Sequence, residues 1–218
     1  MSKDYEYLRI SVRPRSWPRV IAEVTAKGAE AIAGAGGKLY AMWVSDIGLP
    51  YYHGVVLSAW ARDEGVNPVV QGVDDVLEAS AERLVVVTGP RDSIPCTRNG
   101  IYMHRWFEMR DTDWKEFLDL STDVWPDAED AYGSKIIGFW RSRDAPAPMA
   151  RALLITYYPN MAAWERSRSE NARTPEEKAT WRTLSRRHQL IESTVATTMK
   201  LAQSLTMDST TTESTAHA

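Results

Sequence analysis

The sequence holds a single cysteine in 218 residues, Cys96. That excludes an intrachain disulfide and any zinc site built on cysteines. A surplus of positive charge is also missing: 26 Lys and Arg stand against 29 Asp and Glu, a formal charge of −3. Nucleic-acid binding needs clustered basic side chains to neutralise phosphates, so this balance argues against it. Long apolar runs are absent. Leu84–Val87 and Ala152–Ile155 are the longest strongly apolar stretches, against the ~20 residues a membrane-spanning helix requires. The opening Met1-Ser2-Lys3-Asp4-Tyr5-Glu6 lacks the apolar core of a signal peptide. The expectation is a soluble, cytoplasmic protein. Phenylalanine is scarce, with three Phe beside nine Trp and nine Tyr. Trp and Tyr join a large apolar body to one polar handle, which suits cores and also pockets that need a donor.

What the chain does contain is an internal echo. Shifted by 97 residues, it aligns Tyr5 with Tyr102, Arg13 with Arg110, Trp17 with Trp114, Lys38 with Lys135 and Trp43 with Trp140. The hydrophobic pattern follows: Ile10 with Phe107, Ile21 with Leu118, Leu39 with Ile136, Met42 with Phe139, Val56 with Leu153. Rare Trp pairs in register with a matching apolar pattern indicate duplication.

Each half spells strand, helix, strand, strand, helix, strand. In the first, Tyr5–Arg13 alternates with Leu8, Ile10 and Val12 on one face. A helix is expected from Trp17 to Ala33, stopped by Gly34-Ala35-Gly36-Gly37, with strands at 38–47 and 54–61. The glycine cluster follows a helix and precedes a strand, the reverse of a phosphate-binding loop. A second helix is expected at 73–83 and a strand at 84–88. The second half repeats the order: strand 101–109, helix 112–124, strands 134–142 and 150–158, and a helical region restarting at Thr174-Pro175-Glu176-Glu177, a capping box with Pro at the first helical position. A last strand is expected at 189–199. The acidic group Asp123, Asp127, Glu129 and Asp130 around Pro126 is expected to be a solvated helix end. The domain plan is 1–89 for the first half, 90–99 for a linker, 100–203 for the second half and 204–218 for a disordered tail.

Two βαββαβ units in tandem give an α+β fold of two ferredoxin-like halves. Each antiparallel sheet carries helices on one face only. Packing the two bare faces together as an α/β barrel would bury both.

This order of elements resembles the dimeric α/β-barrel superfamily, and within it the NIPSNAP-like proteins, which carry two such halves in one chain. The resemblance rests on Tyr102-Met103-His104-Arg105-Trp106-Phe107, Lys135-Ile136-Ile137-Gly138-Phe139-Trp140, and Leu153-Leu154-Ile155-Thr156-Tyr157-Tyr158 leading into Met161-Ala162-Ala163-Trp164-Glu165-Arg166. It spans Tyr5 to Leu201 as a pattern of elements, with no short catalytic signature. Its members include cofactor-free monooxygenases, cyclases, isomerases, haem enzymes and proteins without known activity, so the fold leaves the reaction open.

If Leu8, Ile10 and Val12 face the helices, then Tyr5, Tyr7, Arg9 and Ser11 face the other way, and the 97-residue register puts Tyr102, His104, Trp106 and Glu108 on the equivalent face. His104 is the candidate general acid or base, because an unperturbed imidazole titrates near neutrality. Arg9 would hold a carboxylate or polarise a carbonyl. Tyr7 or Tyr102 would donate to a developing oxyanion, and Trp106 and Glu108 would line the pocket. The alternative is an interior His and Glu that satisfy each other or the backbone without turnover. His104 and Glu108 sit four residues apart on one strand, roughly 13 Å, so they form no direct dyad. Of the other histidines, His53 opens a strand, His188 closes a helix where the dipole favours it, and His217 lies in the tail. No second histidine stands at metal-ligand spacing, so no metal is expected. No organic cofactor is expected either, although one histidine, His104 or His188, would suffice for haem. Cys96 has no base near it in sequence.

The expected function is binding of a small apolar, carbonyl-bearing or aromatic metabolite with acid-base chemistry on it: an isomerase, cyclase, lyase or cofactor-free oxygenase. The alternative is a non-catalytic protein-interaction module, or a haem-binding member of the superfamily. Exposed strand edges lead us to expect a homodimer.

Overall fold

The computed structural model describes residues 4–61, 73–90, 98–168 and 174–202. Cys96, His217 and the expected tail fall outside them. The described residues form two compact units. The first takes residues up to 86 together with 98–99 and those from 197 onward; the second takes 87–90 and 100–196. The last strand is thus shared out, its final residues belonging to the first unit.

In the first unit, β1 (Asp4–Val12) is buried on both faces over residues 5–8, with Leu8, Ile10 and Val12 sharing the helix-facing side. Leu8, Ile10 and Val12 pack against Trp17, Val20, Ile21, Val24 and Ile32 of the following helix. That helix starts at Trp17 with Pro18 in its first turn, where a missing N–H is harmless. It runs through α1 (Trp17–Glu23), a π-helical turn (Val24–Gly28) and α2 (Ala29–Gly34). Gly36, at φ 82°, provides the left-handed turn that ends it. Strands β2 (Gly37–Ile47), β3 (His53–Trp60) and β4 (Val76–Thr88) complete the sheet. β1 lies between β3 and β4, β3 pairs β2, and all pairings are antiparallel. The end of β8 (Ser193–Leu201) pairs β2, with Trp43 opposite Leu201.

One expectation fails here. Residues 76–83 are strand, not helix. Their Leu, Glu, Ala and Arg content favours a helix only weakly. The ladder to β1, from Val76 opposite Val12 to Val85 opposite Asp4, overrides it.

In the second unit, β5 (Ile101–Arg110) is followed by α3 (Trp114–Tyr132), β6 (Lys135–Ser142), β7 (Met149–Tyr158), α4 (Met161–Arg166) and α5 (Pro175–His188). β7 pairs both β5 and β6, antiparallel. Phe107, Met109 and Phe139 pack under Phe117, Val124 and Trp125 of α3. α3 runs eight residues past the expected end, with Pro126 in its interior. Pro126 removes one ladder bond, but packing of Trp125 and a tie from Glu129 hold the extra turns. The Glu129 carboxylate accepts the Ile136 N–H at 2.7 Å and lies 3.6 Å from the Lys135 ammonium. Asp123, Asp127 and Asp130 are exposed as expected; Glu129 is buried and belongs to the structure.

The duplication is visible in the ladders. Trp17 and Trp114 open matching helices, and Trp43 and Trp140 are fully buried at matching strand positions. A bulge falls between Leu39 and Ala41 in β2 and between Ile136 and Gly138 in β6, 97 residues apart. One pairing changes. Leu8 opposes Val56, while Arg105 opposes Leu154. Val56 therefore matches Leu154, not Leu153, because the β6–β7 connection carries one more residue than β2–β3.

Candidate functional site

Each expected site residue can be placed within its own unit. Tyr5 and Tyr7 are buried, and Tyr5 meets Tyr40 edge-to-face at 6.3 Å. Arg9 is exposed. In the second unit, Phe107 and Met109 point at the helices, so Tyr102, His104, Trp106 and Glu108 take the other face, as the period-2 pattern requires. Trp106 and Glu108 are joined by a residue that sequence reading missed: Arg151 of β7, directly opposite Glu108, lies 4.3 Å over the Trp106 ring and 3.5 Å from the Glu108 carboxylate. Tyr102 packs against Tyr157 at 5.5 Å.

His104 is completely buried. Burial penalises the imidazolium and pushes its pKa down to about 3. A ring that stays neutral throughout the physiological range has no proton to give as a general acid there. It retains the hydrogen-bonding of a neutral imidazole.

A partly open cavity lined by described residues of the second unit lies on the opposite side of this sheet, beneath the helices. It measures about 90 Å3. One water needs roughly 10–15 Å3 on such a measure, so the space suits a small ring or a short chain. Its floor is the helix-facing side of the sheet: Met103 and Arg105 from β5, Leu154, Thr156 and Tyr158 from β7, and Ile136 from β6. Trp125 and Tyr132 of α3 and Trp181, Leu184 and Arg187 of α5 close it, with Ser167 and Arg168 after α4 at one side. The aromatic and aliphatic residues come from the helix-facing side of the sheet and from α3 and α5. The charge comes from three arginines.

Those arginines are placed by the fold. Arg105 sits among the inward residues of β5 between Met103 and Phe107. Arg187 lies in the last turn of α5, its guanidinium 5.2 and 5.4 Å from the Phe107 and Phe117 rings, with one N–H directed to the Ser121 hydroxyl at 3.4 Å. Burial brings both guanidinium groups down to about 10, and the neighbouring Arg168 adds to the shift in each. Both remain charged at neutral pH.

No family model matches this chain, and no curated protein matches it. Solved structures do. A candidate monooxygenase from Lactobacillus acidophilus NCFM superposes with a TM-score of 0.64 at 12% identity, covering 93% of this chain and 95% of that one. An anthrone oxidase-like protein gives 0.54 at 12% identity over 92% and 93%. A mutant chlorite dismutase from Candidatus Nitrospira defluvii gives 0.55 at 7% identity over 93% of each. The fold is that of the dimeric α/β-barrel proteins. Identities this low establish the fold, and three chemistries on one fold leave the reaction to the site.

Haem does not fit the described cavity. Its lining contains no histidine, His104 lies on the other face of the sheet, and His188 is exposed at the end of α5. A space of about 90 Å3 is also far short of a porphyrin. No metal-binding cluster is found among the described residues, and no helix among them is long and apolar enough to cross a membrane.

The residues of the second unit singled out from the sequence lie on the other face of the sheet from this cavity, yet a signal for the cavity was present in the sequence. The 97-residue register sets Arg105 against Leu8, a charged residue at a helix-facing core position. Arg187 carried no such mark, since a basic residue in a last helical turn has the dipole as sufficient reason.

Proposed function

We propose that the protein binds a small organic molecule in the cavity between the sheet and helices of its second unit. One observation carries this reading: the position that Leu8 fills with core packing in the first unit is held by Arg105 in the second, beside an open space rather than a packed one. A polar group facing an apolar-walled cavity is the usual composition of a ligand site. Trp125, Trp181 and Leu154 offer the apolar walls, which suits the aromatic or apolar body expected from the sequence. This is a reading of binding; it assigns no turnover to His104. Within the fold class, the tandem halves also support the NIPSNAP-like resemblance. The test is intrinsic fluorescence, because two of the walls are tryptophans. Saturable quenching by a small aromatic ligand, lost in Trp181→Leu, is expected. Quenching that persists unchanged in Trp181→Leu and in Thr156→Phe, which fills the cavity, would place binding elsewhere.

A further inference from the structure

We propose that the molecule bound in this cavity is an organic acid, its carboxylate held by Arg105, Arg168 and Arg187; this rests on the binding reading above. Several of the second unit's other cations meet a carboxylate, while exposed ones such as Arg166 and Arg182 point to solvent. Arg110 meets Glu192 at 3.0 Å, Lys115 meets Asp119 at 2.7 Å, Arg186 meets Glu116 at 2.8 Å, and Arg141 bonds Asp111. Arg186 and Arg187 are adjacent in sequence and part company: the first turns out to a carboxylate, the second turns in to the cavity. Among the described residues none of the three cavity arginines forms an ion pair with a carboxylate, and the Nε of Arg187 is buried without a hydrogen-bond partner.

Three like charges around one space repel each other, and two of them have lost much of their water. A fold keeps such an arrangement at a cost unless an anion completes it. Guanidinium groups match the planar oxygens of a carboxylate with paired, charge-assisted hydrogen bonds. The remaining walls are aromatic and aliphatic, which favours an acid with an apolar body over a bare inorganic ion.

Benzoate, benzamide and inorganic phosphate separate the possibilities, each titrated against the full chain with tryptophan fluorescence and calorimetry. Benzoate is expected to bind at least about tenfold more tightly than its uncharged isostere benzamide, more tightly than phosphate, and more weakly as salt rises. Arg105→Gln and Arg168→Gln should each weaken benzoate about tenfold or more and leave benzamide unchanged. Arg168 is exposed, so its variant does not endanger the core. Equal affinity for benzoate and benzamide would overturn the acid inference and leave the binding reading standing. Phosphate binding as tightly as benzoate would overturn the organic body. Failure of all three ligands would sink both readings together.

Discussion

The two units build the same sheet-and-helix layer and finish it differently. In the first, Leu8, Ile10 and Val12 from β1 meet Trp17, Val20 and Ile21, and the layer is closed by apolar contact. In the second, the matched strand residues are Arg105, Phe107 and Met109. Two of the three still pack as core. The third leaves a cavity and brings charge to it. Duplication thus leaves one copy free to keep the packing while the other gives up part of it, and the difference sits at a single matched position.

Writing the second unit's choice into the first should produce the largest effect. Leu8→Arg would place a guanidinium in a packed apolar layer where Leu8 is 3% exposed. A buried charge without a partner costs about 3–5 kcal/mol, enough to unfold many domains. Chemical denaturation is expected to show loss of most of the stability; near-wild-type stability would mean that the first layer also has room.

The buried imidazole should make stability fall in acid. The pKa of His104 is lowered from 6.5 to about 3. The unfolded chain therefore binds a proton that the folded one refuses between those values. This contribution is fully present above pH 6.5 and is lost as pH falls toward 3. Between pH 6.5 and 5 the loss is about 2 kcal/mol. A His104→Gln variant should have a flatter stability profile over that window, as followed by melting temperature. A profile of unchanged slope would place the acid sensitivity on other groups.

A smaller contrast lies at Gly54 and its ladder equivalent Ala152. A Cβ on Gly54 would stand 2.6 Å from the Trp17 ring and 2.7 Å from the Trp43 carbonyl oxygen. In the second unit Trp114 lies over Phe139 at 5.7 Å, and Ala152 is accommodated. Gly54→Ala should cost about 1–3 kcal/mol through overpacking. Ala152→Gly should cost less than about 1 kcal/mol. Equal penalties would show that the two indoles hold equivalent places after all.

The smallest effect is expected at Arg151, which bridges Trp106 and Glu108 at partial exposure. Arg151→Met should cost within about 1 kcal/mol.

Much of the fold was legible because periodicity reports burial directly. The helix-facing residues of β1 and β5, the helix starts at Trp17 and Trp114, and the start of α5 at Pro175 all stand where their residues pointed. One element and one helix end were not legible, since tertiary contacts decided them: the helix expected at 73–83 is strand from residue 76 because it pairs β1, and Glu129 carries α3 beyond Pro126. The cavity was not read from the sequence. Arg105 falls at the register position of Leu8, a mark that became informative only with the fold, and its partners Arg168 and Arg187 come from distant segments that only the folded chain brings together.

The central claim is that Arg105 trades packing stability for recognition of an acid, and Arg105→Leu, which restores the first unit's residue, tests it most directly. Thermal melting of wild type and variant, each with and without benzoate, is the measurement. The account predicts that the ligand-free variant melts about 2–4 °C higher, because a buried like charge has been removed, and that benzoate no longer shifts it. A variant that melts lower than wild type without ligand, or that keeps the full benzoate shift, would contradict the account.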